Sequence, residues 1–202
     1  ADYVWWVNKN LLDEFSNRVI ASMTHHYQIL PDLKFRGRLS TDFTSERIET
    51  RNYTERPLAF GNSGYFGLDN NLYSILYGDA LLTYTKRLSS SFELNVMGGY
   101  MATKDVATFV SRGTNGGLST ENLFDIAATI NVANSGSSRS ALVKDAYIGT
   151  INLDYKGYLF VEGTIRRDRT STMNPENNSF IYPSVNTSFI FTDAFDLPDF
   201  IS

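Results

Sequence analysis

Cysteine is absent from the 202 residues, which excludes disulfides and thiolate metal ligands. Histidine is scarce: His25 and His26 are adjacent, and successive residues of a strand point to opposite faces, so the pair does not converge on one ion. No metal and no other cofactor is expected. A hydrophobic run of about 18 residues is also missing, which excludes a transmembrane helix. It does not exclude membrane-crossing strands, whose alternation leaves mean hydropathy, here −0.23, unremarkable. Positive charge is not in excess, since 18 Lys+Arg against 22 Asp+Glu give a net charge of −4. Without a basic stripe to replace phosphate counterions, nucleic acid is not an expected partner. The opening ADYVWWVNKN lacks the charged, apolar and small-residue order of a secretory leader. An exported protein with this sequence is expected to carry its leader upstream.

What is present is period-two alternation. From Val143 to Tyr155, Val143, Tyr147, Gly149, Ile151, Leu153 and Tyr155 fall on one face and Lys144, Ala146, Thr150, Asn152 and Asp154 on the other. Lys156-Gly157 supplies a tight turn. Leu159, Val161, Gly163 and Ile165 then oppose Glu162, Thr164, Arg166 and Asp168, and after a polar loop Ile181, Val185, Phe189 and Phe191 oppose Tyr182, Ser184 and Asn186. Earlier strands are expected from Arg18 to Ile29, from Leu33 to Phe43, from Tyr73 to Thr85 and from Phe92 to Tyr100. Residues 1 to 15 are expected to be loop with a short turn of helix.

The connections alternate in length. Short turns are expected at Pro31, at Lys86 to Ser91, at Lys156-Gly157 and at Asp196 to Asp199; long loops at 46 to 72, 102 to 140 and 170 to 179. Short turns at one end and long loops at the other are the pattern of outer-membrane barrels. The reading is therefore all-β: an antiparallel up-and-down meander of about seven strands, residues 1–202, forming part of a larger transmembrane β-barrel. A Ser119 cap with Leu123, Ile126, Ala127 and Ile130 at helical spacing predicts one short amphipathic helix inside the long extracellular loop.

Seven strands do not close a transporter-sized barrel, which has about 22, and an open edge in lipid leaves backbone groups unsatisfied. The remaining strands are expected in other parts of a longer protein. Period two then separates lipid-facing Phe35, Leu39, Leu82, Leu94, Val161 and Phe189 from lumen-facing candidates Arg36, Arg38, Asp79, Glu93, Glu162 and Asn186. Arg167 and Arg169 fall on the apolar face beyond Ile165, where long cationic side chains can snorkel to headgroup level. Asp168 is expected to pair with a neighbouring arginine. Trp5, Trp6, Tyr65 and Phe66, with Asn122 and Asp125, are candidates for substrate contact, because aromatic faces stack on sugar rings or peptide side chains. No Ser-His-Asp, Cys-His or close carboxylate arrangement has supporting context, so no catalytic residue is expected. GNSGYFG and GTNGG do not join a strand to a helix and are not phosphate cradles.

The run from Val161 to Phe195 resembles a barrel stretch of SusC/RagA-like TonB-dependent outer-membrane transporters. The likeness is carried by Arg166 to Thr172, by Phe-Ile-Tyr-Pro-Ser-Val from Phe180 to Val185, and by Ser188-Phe-Ile-Phe followed by Ala194-Phe195. ENLFDIAATINVAN, from Glu121, is more loosely similar to a loop of the same family. The resemblance implies a place in the outer membrane of a Gram-negative bacterium and uptake of oligosaccharides or peptides. It also implies a SusD-like surface lipoprotein as lid, the TonB complex as energy source, and outer-membrane lipid around the wall. A passive porin or structural barrel shares the alternation, and a soluble glycan-binding β-sandwich is a third reading.

Overall fold

The structure, a computed structural model, describes residues 2–195. Helix α1 (Asp2–Lys9) leads into strand β1 (Asn10–Leu30), followed by β2 (Leu33–Asn52), β3 (Tyr65–Arg87), β4 (Phe92–Gly113), β5 (Asn134–Tyr155), β6 (Leu159–Thr170) and β7 (Ser179–Phe189), and then by the short helix α2 (Phe191–Ala194). All seven strands form one sheet in the order of the chain. A sandwich needs two packed layers; the described residues make one sheet, not a sandwich.

Five strands are far longer than their apolar alternation suggested. β1 to β5 have 20 to 23 residues, about 65–75 Å at roughly 3.3 Å per residue, whereas a tilted strand crosses a bilayer in about 9–11. The expected starts at Arg18 and Tyr73 move to Asn10 and Tyr65, and the expected ends at Phe43 and Tyr100 move to Asn52 and Gly113. The long connections shrink accordingly to 53–64, 114–133 and 171–178. Glu46, Arg47 and Glu49 interrupt the alternation, while ladder hydrogen bonds to neighbouring strands keep the backbone extended. Of residues 1 to 15, expected as loop with a short turn of helix, 2–9 form α1 and 10–15 begin β1. Phe191, expected in the last strand, starts α2, and the turn expected at Asp196 to Asp199 lies outside the described residues.

The chain divides into two compact units, and β1 to β5 each contribute to both. One contains the strand segments 10–20, 41–52, 65–75, 105–113 and 134–141 with two long connections, 53–64 and 114–133. Its core is Phe66, Leu118 and Ala128, at 8%, 0% and 4% exposure. Thr114 closes it: the Thr114 N–H donates to the Phe66 carbonyl, and its hydroxyl accepts from the Phe66 N–H. The helix expected in this connection does not form. Only a single 3₁₀ turn, Ile126–Ala128, is present, capped by Asp125, which accepts from the Ala127 N–H at 2.8 Å, and not by Ser119. The reason is tertiary. Asn122 has φ +55°, which breaks a helix, because its side chain is drawn to the neighbouring loop. Leu118 and Thr129 form an isolated bridge instead.

The other unit holds the strand segments 21–30, 33–40, 76–87, 92–104 and 142–155, together with β6, β7 and the connections 31–32, 88–91, 156–158 and 171–178. The 156–158 turn follows from its sequence. Lys156 and Gly157 take φ +52° and +76°, the second at no steric cost to glycine, and Asp154 accepts from the Gly157 N–H at 2.7 Å. β5 and β6 pair from Tyr155↔Leu159 to Lys144↔Thr170, and β6 and β7 from Leu159↔Phe189 to Arg169↔Ser179. This register puts the residues of each expected face together across strands.

Candidate functional site

The sheet of the second unit has two chemically distinct faces. On the apolar one, aromatic rings run in a chain beside the short turns: Phe92 to Tyr155 at 4.7 Å, Tyr155 to Tyr158 at 5.3 Å, Tyr158 to Phe189 at 6.0 Å and Phe189 to Phe195 at 6.2 Å between centroids. Eight residues further along the same strands, Tyr100 and Tyr147 meet at 4.9 Å. Eight residues of tilted strand rise about 20 Å, comparable to the roughly 25 Å apolar band between aromatic girdles in membrane barrels. Between the two sets of rings lie Leu94, Val96, Ile151, Leu153, Val161, Ile165 and Val185. Ile151, Ile165 and Val185 are 52%, 55% and 76% exposed, an exposure that water does not favour.

On the opposite face the charges find one another. Arg38 Nε and Arg36 Nη2 donate to the two oxygens of Asp79 at 2.8 and 3.2 Å, and Arg38 Nη2 donates to the Tyr77 hydroxyl at 3.0 Å. The guanidinium of Arg38 also lies over the Tyr77 ring at 4.9 Å. Arg166 Nε donates to Asp168 at 2.5 Å, which is the pairing expected of Asp168. Glu162 and Asn186, opposite in the β6–β7 ladder, share a hydrogen bond of 3.4 Å, and Asn95 donates to Thr85 at 2.8 Å. Tyr77, Met101, Lys144, Ala146, Arg166, Asp168, Phe180 and Tyr182 line an open groove of about 410 Å³ on this face. Arg36 and Arg38 against Asp79 beside the groove, and Lys144, Arg166 and Arg169 against Asp145 and Asp168 lining it, give a local excess of positive charge there, while Glu93 and Glu162 lie further along the face. Aromatic rings at Tyr77, Phe180 and Tyr182 supply flat apolar contact. The arrangement suits amphipathic solutes that carry an anionic group.

Of the lumen-facing candidates, Arg36, Arg38 and Asp79 converge in one cluster and Glu162 with Asn186 in another; Glu93 stands apart, 3.9 Å from Arg87 near a short turn. Trp5 and Trp6 lie on α1, 37% and 58% exposed. Tyr65 opens β3 with its ring against Gly67 and Gly113. Phe66 is buried and faces Phe124 at 6.4 Å, so its ring is occupied with packing. Asn122 and Asp125 are tied into the loop: Asn122 Oδ1 accepts from the Thr54 N–H and hydroxyl at 2.9 and 3.0 Å, and Asp125 caps the 3₁₀ turn.

Sequence reasoning passed over Asp145. It is 8% exposed on the apolar face, and Arg169, opposite it in the ladder, grips it with Nε and Nη2 at 2.9 and 3.1 Å. Arg169, expected only to snorkel, is ion-paired. The signal was available, because Asp145 interrupts a mainly apolar face at the height of Arg167 and Arg169.

No family model matches the chain, and no curated protein matches it. Solved structures do. The structure of the RagAB peptide transporter overlaps 97% of this chain with a TM-score of 0.88 at 11% identity, and 22% of that chain is covered. The RagAB peptide importer in its open-open and closed-closed states overlaps 92% and 94%, with TM-scores of 0.83 and 0.85 at 11% and 12% identity. The fold is that of a contiguous segment of such a barrel, and the chain spans about a fifth of the length of the chains it matches.

Proposed function

We propose that this chain is part of the barrel wall of a TonB-dependent outer-membrane importer of peptides or oligosaccharides. The observation that carries the reading is the overlap of nearly the whole seven-stranded meander with the RagAB peptide transporter. Supporting it are the apolar band between two sets of aromatic rings and the charged, internally paired face behind it. In this reading the apolar face meets outer-membrane lipid and the groove beside Arg38 and Asp79 faces the lumen. The short turns lie in the periplasm and the long connections outside the cell, where a SusD-like surface lipoprotein would close over them. TonB would act through regions beyond this segment. The role is transport, with no catalytic step.

The test uses the full-length protein in its own cells. Deleting and restoring the gene while following uptake of a labelled peptide mixture should give saturable, gene-dependent uptake that a proton uncoupler abolishes. Uptake that is linear in concentration and indifferent to the uncoupler would instead support a passive porin, the second reading. Affinity isolation of the tagged protein should also bring down a surface lipoprotein.

A further inference from the structure

On the outward, apolar face of β4 to β7 lies a second groove of about 410 Å³, lined by Val96, Gly149, Ile151, Gly163, Ile165 and Val185. Its shape comes from the sequence, since the glycines place no side chain between the aliphatic ones. A cation stands one register step beyond the groove lining. Ile165 pairs with Gly149, and the next residue of the same face, Arg167, pairs with Tyr147 on one side and Ile181 on the other. Arg167 Nε donates to the Ser179 hydroxyl at 2.8 Å. That bond orients the guanidinium and leaves both Nη groups uncommitted to it. Among the described residues no carboxylate lies within ion-pairing distance of Arg167, because Asp145 is taken by Arg169. Arg167, Arg169 and Asp145 together leave one net positive charge at the border of the apolar band.

We infer that this groove and Arg167 form a binding site for a phosphorylated membrane lipid, with acyl chain in the groove and phosphate on Arg167. The inference rests on the reading of this face as the membrane wall. A guanidinium matches phosphate in charge and in forked geometry, and a cation directly above an apolar furrow reproduces the order of headgroup and chain within one leaflet. Arg167 lies near the 171–178 connection, so the leaflet is the one on the side of the long loops. A soluble anion would have no use for the furrow, and a second copy of the chain would have no use for an uncompensated arginine facing it. The phosphorylated lipid satisfies both features.

The experiment uses the full-length protein purified in detergent and titrated with diphosphorylated lipid A, counting bound lipid by native mass spectrometry. One lipid should be retained preferentially. Arg167→Ala and enzymatic removal of the lipid's phosphates should each weaken retention about tenfold, with no further loss when combined. Arg167→Lys, which keeps the charge but not the fork, should bind between the arginine and alanine forms. Gly163→Leu, which fills the furrow, should weaken both forms of the lipid. If Arg167→Ala does not assemble, Arg167→Gln takes its place. Equal retention by the alanine variant, displacement of the lipid by millimolar inorganic phosphate, or a dimer seated on this face with no lipid bound would each overturn the inference. A barrel recovered in membranes yet indifferent to phosphate defeats this site alone; a protein absent from the membrane fraction defeats the membrane-wall reading as well.

Discussion

Arg38 reaches across from β2 to β3 and donates from Nε to Asp79 Oδ2 at 2.8 Å, and the aspartate side chain it meets has no exposed surface while the arginine keeps 39% of its own. Charge is thus held inside the wall and offered at its surface. Two guanidinium groups share one enclosed carboxylate, and the surplus faces the groove that Tyr77 lines.

Replacing Asp79 by Asn should therefore destabilise the barrel, since Arg36 and Arg38 lose their shared counter-charge and one of its two acceptor oxygens becomes an N–H donor. Removing one partner of a buried polar contact costs about 1–3 kcal/mol. Urea unfolding of the full-length protein in detergent should show this loss, and Arg38→Met in the same chain should recover part of it. An unchanged midpoint for Asp79→Asn would show that the cluster adds nothing to folding.

Ile151 stands midway between Tyr147 and Tyr155 on the apolar face, and Asn152 is its neighbour on the polar one. Ile151→Arg should cost roughly 2–4 kcal/mol of folding free energy in a bilayer, the amount a cation costs near the midplane, whereas Asn152→Arg should cost little. The comparison is made by folding the two variants into vesicles. Equal costs would remove the assignment of lipid to the Ile151 face.

Single cysteines report the two faces independently, because the chain has none of its own. At Phe35, Leu39, Leu82, Leu94, Val161 and Phe189 a cysteine should react with a lipid-soluble maleimide and resist a water-soluble one in intact membranes. At Arg36, Arg38, Asp79, Glu93, Glu162 and Asn186 the order should be reversed, except where a plug shields the wall from both reagents.

Connections 53–64 and 114–133 are latched by named contacts: Asn122 on Thr54, Glu121 accepting from the Leu58 N–H at 3.0 Å, and Phe124 edge-on to Tyr53 at 4.9 Å. Asn122→Ala should speed limited proteolysis within 53–64 severalfold without lowering surface expression. Replacing 114–133 by a short Gly-Ser linker should leave the barrel in the membrane but reduce uptake and lipoprotein capture. Full uptake with normal expression would show that this connection serves packing alone.

Period two, written in alternating side chains, determined which residues are strand and which share a face, and the turn residues between the strands, Lys156-Gly157 among them, determined the antiparallel meander. These are local consequences of backbone geometry, and Arg38 and Asp79 meet on one shared face as the alternation requires. The ends of β1 to β5 and the absence of a helix at 119–130 were decided only in the tertiary structure. Beyond the apolar band no single face must be dry, so the pattern fades while ladder hydrogen bonds from neighbouring strands carry the extended backbone on to Asn52 and Gly113. In the same way Leu123, Ile126 and Ile130 have helical spacing, but the hydrogen bonds that Thr54 and Leu58 give to Asn122 and Glu121 hold this segment in another shape. The meeting of Arg169 with Asp145, and of Arg167 with a furrow from Gly149 to Val185, depends on register between strands, which no one strand's sequence contains.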